Sequence, residues 1–221
     1  MINDPFDEKK EMYFAKAQSK TGVISSIVKA LNDFVKEYDS ANNTMKDERK
    51  KLRETYVFNS ALYNQKELEI YNTFNETIAS VREDHKKMIH DAVQTVKDKV
   101  AEIISAKMPE GAMDDVTLIQ NFAGRLSDDE IKVFLNKYDK CYLVTKVIFC
   151  AMAKEQAERL GVKFISADDI LSTIDKIEAT AIDMIRKYNG AVSYNVALML
   201  DGENIQTVND SFESFVSAYK V

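Results

Sequence analysis

The two histidines, His85 and His90, are the side chains in this sequence most suited to metal binding or proton transfer. They lie five residues apart, so a helix would point them about 140° away from each other, and they could not share one metal ion. The Glu-x-x-His pair of four-helix di-iron proteins is also missing, because Arg82 and Lys87 stand three residues before the histidines. We therefore predict no metal site. His85 is predicted to lie in a helix seam, where it could set the register or respond to pH.

The cysteines and the paired aspartates have structural explanations. Cys141 and Cys150 lack a Cys-x-x-Cys spacing and are predicted to fill an apolar core. Asp114-Asp115, Asp128-Asp129 and Asp168-Asp169 are each expected at a helix start, where acids complement the helix dipole. The glycines form neither Gly-x-Gly-x-x-Gly nor a phosphate-binding loop. We predict no catalytic residue and no cofactor, and hence no enzyme.

A stretch from Lys46 to Tyr71 combines basic and aromatic side chains, and its basic cluster from Lys46 to Arg53 is the only electropositive patch in the sequence. Two interpretations are open: a solvated helix face beside an aromatic packing junction, or a surface that binds an acidic protein, including another copy of this chain. The side chains predicted to make such a contact are Arg49, Lys50, Arg53, Tyr56 and Tyr63.

Composition predicts a few long helices. Among 221 residues there are only 6 Gly and 2 Pro, too few for a many-turned β-sandwich or barrel. No run of about 20 apolar residues could span a membrane. The N-terminus carries no hydrophobic signal region, so we expect a cytoplasmic protein.

Charge is distributed unevenly along the chain. Residues 1–108 hold 18 basic and 18 acidic side chains, whereas residues 109–221 hold 12 basic and 18 acidic ones, a net charge of −6. A nucleic-acid partner is disfavoured because no basic excess is present. The change at Pro109 predicts two domains: long antiparallel helices in 1–108 and an acidic helical bundle in 109–221.

The element predicted most clearly is a helix from about Asn64 to Lys107, whose apolar seam changes phase around His85 and Met88. It would be roughly 65 Å long, so it needs a partner along its length. The partner is either the preceding helical segment or a second copy. That segment is predicted to start at Asp4-Pro5 and to be interrupted by a turn over residues 39–44.

The second half is predicted to contain shorter helices. Ser127 and Glu130 form a capping-box pattern, and one helix is expected from Cys141 to Leu160. Residues 192–200 fit both a helix and a strand, with helix preferred because no second strand is available for pairing.

The resulting fold prediction is all-α, with an elongated, coiled-coil-like N-terminal hairpin of long helices and a C-terminal helical bundle. The leading functional hypothesis is a structural protein that self-associates or scaffolds a larger complex, including particle or phage-type assemblies. One alternative is a regulatory module that binds protein through residues 46–71. A second is a helical-bundle enzyme whose site is not visible in the sequence.

Overall fold

A computed structural model describes residues 23–190 and 203–219, and within these ranges the chain forms eight α-helices and no strand. The all-α prediction is therefore confirmed. The predicted helix start at Asp4-Pro5 and the ambiguous segment 192–200 lie outside the described residues. No helix in the described ranges has an apolar stretch long enough to cross a membrane. The helices are α1 (Val23–Thr55), α2 (Ala61–Ile104), α3 (Ala112–Asn121), α4 (Asp128–Lys137), α5 (Tyr142–Ala151), α6 (Lys154–Leu160), α7 (Ala167–Lys187) and α8 (Glu203–Tyr219).

Helices α1 and α2, of 33 and 44 residues, form the predicted long-helix hairpin. The ring of Phe34 packs edge-on against His85, whereas Arg49, later in α1, pairs with Glu67, earlier in α2. This order of contacts makes the two helices antiparallel. The partner of α2 along this seam is thus α1 of the same chain.

The seam has apolar side chains at helical spacing on both helices. On α2 the buried positions Ile78, His85, Ile89 and Val93 follow steps of seven, four and four residues. Two consecutive four-residue steps depart from the three-and-four alternation of a heptad, in agreement with the predicted change of phase. Buried side chains of α1 complete the seam; they are Ile27, Val28, Leu31, Phe34 and Tyr38.

The predicted turn over residues 39–44 is wrong, because α1 continues through it to Thr55. The polar side chains that suggest a turn have partners in the folded chain. The hydroxyl of Tyr188 donates to Asp39 Oδ1 at 3.0 Å, and Thr44 Oγ1 donates to the Ser40 carbonyl one turn earlier. Side chains that are engaged in these hydrogen bonds do not compete for the backbone amides of the helix, so α1 continues through this segment.

The start of α2 lies at Ala61, three residues before the predicted start at Asn64. Asn59 adopts a left-handed φ of 61° and ends the connection from α1. The Tyr63 amide then donates to Ser60 Oγ at 3.1 Å, so Ser60, and not Asn64, caps the helix.

In the second half, one predicted helix boundary is confirmed and one predicted helix is wrong. Ser127 and Glu130 form a complete capping box at the start of α4. The helix predicted from Cys141 to Leu160 is instead two helices, because Met152 is extended at φ −80° and ψ 145°. This break allows Gln156 to donate to the Leu126 carbonyl and to Asp128.

The contacts divide the chain into two compact units. The described residues of the first unit are 23–94, 176–190 and 203–206, and those of the second are 95–175 and 207–219. The dividing points fall within α2, α7 and α8. The division into domains 1–108 and 109–221 stays a prediction from charge. The second unit contains a continuous apolar core, built from Ala112, Val116, Ile119, Ile131, Tyr138, Cys141, Val144, Ile148 and Ala151.

Candidate functional site

The connection between α1 and α2 exposes three large apolar side chains close together in sequence. Val57 is 80% exposed, Phe58 64% and Leu62 49%. We call these three residues the hairpin tip. Soluble proteins commonly expose single apolar residues, whereas grouped ones mark contact sites.

The tip is supported from inside by an aromatic contact. The rings of Phe58 and Tyr63 meet edge-to-face, with centroids 5.2 Å apart. Tyr63 is completely buried, and its hydroxyl is 3.4 Å from Glu67 Oε1. Phe58 therefore has one face on a fixed support while most of its surface faces solvent.

A charged pair fastens α1 to α2 just behind the tip. Arg49 donates through Nη2 and Nε to Glu67 Oε1, at 2.7 and 3.0 Å, and its guanidinium lies 4.9 Å from the centre of the Tyr71 ring. The hydrogen bond to Glu67 raises the pKa of Arg49. Because both helices contribute, this pair fixes the geometry of the tip.

The predicted contact residues fall into two groups. Lys50 and Arg53 are exposed and form no ion pair with another described residue, and Tyr56 is half-buried. Tyr63 is instead buried, and Arg49 is half-buried against Glu67 and Tyr71, so a partner would meet the side chains they support. The exposed apolar residues Val57, Phe58 and Leu62 are not among the predicted site residues, although apolar residues beside the break at Asn59 are a signal for them.

His85 lies in the seam, as predicted, and is 3% exposed. Its Nε2 is 3.3 Å from Glu37 Oε1, whereas Nδ1 has no hydrogen-bond partner among the described residues. His90 is exposed on α2, and its Nδ1 is 2.8 Å from Glu178 Oε1. The two histidines thus have separate partners, and their roles in register or pH response stay predictions.

The remaining candidate groups do not form a second site. Among the described residues, no three His, Cys, Asp or Glu side chains come together as a metal site would require. Cys141 is buried in the core of the second unit, as predicted, but Cys150 is exposed. Asp128 is held by Arg159 at 3.0 Å, and this hydrogen bond lowers the pKa of Asp128.

No protein-family model, curated protein or solved structure matches this chain.

Proposed function

We propose that this chain is a structural assembly protein that self-associates through its hairpin tip, in the cytoplasm. The observation that supports the proposal is the exposure of Val57, Phe58 and Leu62 at the end of a hairpin whose seam is filled by its own two helices. Because α1 covers the seam side of α2, that side is not available to a second copy. The exposed hairpin tip is therefore the better surface for self-association.

The tip is also preorganised for binding. Arg49, Glu67 and Tyr63 hold the ends of both helices together before any partner arrives. A surface that is already ordered loses less conformational freedom on association, so more of the burial energy appears as affinity.

The expected affinity is modest. Burying the exposed parts of three such side chains would contribute roughly 4 kcal/mol, at about 1.5–3 kcal/mol for each complete burial. Association costs at least about 4 kcal/mol in lost rigid-body freedom. Stable assembly therefore requires polar contacts around the tip or several contacts per particle.

Size-exclusion chromatography with light scattering tests this function. We expect the wild-type mass to rise above 25.2 kDa with concentration. The triple variant Val57→Ser, Phe58→Ser, Leu62→Ser should stay monomeric. Met88→Ser is the matched control, because Met88 is an exposed apolar residue of α2 outside the tip. A wild-type protein that remains monomeric at all concentrations would contradict the proposal.

The regulatory alternative uses the same region but a different partner. It is supported by the exposure of Lys50 and Arg53 beside the tip. In that case the wild type would be monomeric yet would retain another protein in a pull-down, and Lys50→Glu with Arg53→Glu would abolish retention. Arg49 is left unchanged because its loss would disturb the pair with Glu67.

A further inference from the structure

A second exposed surface lies on α3, in the second unit. Asp114, Leu118 and Phe122 are spaced four residues apart, and the Phe122 amide donates to the Leu118 carbonyl, so all three lie along one side of the helix. Leu118 is 44% and Phe122 49% exposed. We call these residues the α3 stripe. A different side of α3 carries the buried core residues Ala112, Val116 and Ile119.

The surroundings of the α3 stripe are acidic. Residues 109–130 contain six acidic side chains and one basic side chain. Three of the acids pair with cations outside this range, Asp115 with Lys137, Asp128 with Arg159 and Asp129 with Lys132, so Glu110, Asp114 and Glu130 remain against one basic side chain, a net charge of −2. Asp115 contributes little to the negative charge of this surface, because Lys137 Nζ and the Tyr138 hydroxyl each lie 2.6 Å from its Oδ2. These two hydrogen bonds lower the pKa of Asp115. Asp114, in contrast, is exposed and pairs with no other described residue.

The surroundings of the hairpin tip have the opposite sign. Residues 46–58 contain five basic and three acidic side chains, a net charge of +2. Arg49 is neutralised by Glu67, but Lys46, Lys50, Lys51 and Arg53 are exposed without an ion pair to a described residue. Each surface therefore has apolar side chains at its centre and a charged rim, and the two rims differ in sign.

We propose that the hairpin tip of one copy docks on the α3 stripe of a second copy. The inference rests on the proposed function, because it names the surface that receives the tip. Contact between two tips would bring two sets of exposed lysines together, whereas the α3 stripe supplies apolar contact and opposite charge.

The contact has a consequence for the assembly. Tip and stripe are different surfaces of the same chain, so the interface is heterologous, and each copy keeps one surface of each kind available. Such an interface repeats until it closes into a ring, or continues as an open chain. The number of copies in the assembly then depends on the angle by which each copy is rotated relative to the next.

Complementary variants provide the test. The tip variant carries Val57→Ser, Phe58→Ser and Leu62→Ser, and the stripe variant carries Leu118→Ser and Phe122→Ser. Each alone should be monomeric in light scattering. An equal mixture should form a species of two chains, since one variant keeps an intact stripe and the other an intact tip.

The outcomes separate this inference from the proposed function. A stripe variant that still self-associates like the wild type would overturn tip-to-stripe docking while leaving tip-mediated assembly intact. A wild type that is always monomeric would overturn both. Met113→Ser is the matched control, because Met113 is 63% exposed on α3 but lies off the stripe, and it should assemble normally.

Charge reversal gives a second test that leaves the apolar residues in place. Lys50→Glu with Arg53→Glu should weaken assembly about tenfold, as should Asp114→Lys with Glu110→Lys. Combining both pairs in one chain should restore most of the lost affinity, because opposite signs again face each other. Reversals with additive losses and no recovery would contradict the proposal.

Discussion

The seam between α1 and α2 and the core of the second unit solve the problem of buried polar groups differently. In the second unit, Thr145 donates to the Tyr138 carbonyl at 3.0 Å, and Gln156 donates to Leu126 and Asp128. In the seam, the Nδ1 of His85 is buried without a hydrogen-bond partner among the described residues, and elsewhere on α1 both side-chain polar atoms of Asn32 are also buried without one.

This difference indicates what each region requires. Short helices around one core are aligned by caps and by the shapes of their side chains. A long antiparallel pair can slide by one turn with little loss of apolar contact, and buried polar residues restrict the permitted alignments at a cost in stability. We infer that the seam gives up stability for register, whereas the core of the second unit does not.

The largest expected effect on stability comes from a substitution that creates a cavity in the core of the second unit. Ile148 is 1% exposed and belongs to the apolar core. Ile148→Ala should lower the free energy of unfolding by about 2–5 kcal/mol, measured by urea denaturation.

Val133→Ala is the control for this cavity, because Val133 is 63% exposed in the same unit and should change stability by less than about 0.5 kcal/mol. Equal effects of the two substitutions would show that the second unit lacks the packed core that the comparison assumes.

Local sequence patterns predicted the features of both regions that depend on neighbours in the chain. The long helix was predicted within three residues of each end, and the capping box at Ser127 was predicted correctly. The continuation of α1 through residues 39–44 could not be predicted, because Tyr188, which binds Asp39, lies 149 residues away. The break at Met152 has no Gly or Pro signal and depends on contacts of Gln156 with Asp128.

For the candidate site, the sequence predicts the stretch of chain in which it lies but not the exposed side chains that form it. The stretch 46–71 includes the hairpin tip, but the sequence does not show which of its side chains face outward. Tyr63 and Phe58 are both aromatic and near the same break, yet Tyr63 is 0% and Phe58 64% exposed. Their difference is set by packing between α1 and α2, which periodicity cannot resolve near a helix end.

A smaller effect of opposite sign is expected in α1. Asn32→Leu puts an apolar side chain of similar size in place of an amide whose two polar atoms are buried without a partner among the described residues. We expect the free energy of unfolding to rise by about 1 kcal/mol, because the desolvation cost of the amide disappears.

Asn43→Leu controls for helix propensity, since Asn43 is exposed on the same helix. A gain at Asn32 no larger than the gain at Asn43, or a loss of stability, would show that the Asn32 amide is satisfied in solution.

A loss of similar size is expected for the hydrogen bond between Tyr188 of the first unit and Asp39 of α1. Tyr188→Phe removes the hydroxyl that donates to Asp39 Oδ1 and should lower the free energy of unfolding by about 0.5–1.5 kcal/mol at pH 7. Burial, followed by the hydrogen bond to Asp39, raises the pKa of Tyr188 above that of an unfolded tyrosine, which is about 10.

The sign of the pH dependence follows from that shift. The folded protein favours the neutral phenol, so the stabilisation is complete below pH 10 and decreases as the pH rises above it. Phenylalanine cannot ionise, so the difference between wild type and Tyr188→Phe should shrink between pH 9 and pH 11. Tyr219, whose pKa burial also raises, is present in both proteins and does not affect the difference. A gap that stays constant over this range would mean that Tyr188 is as accessible to solvent in the folded chain as in the unfolded one.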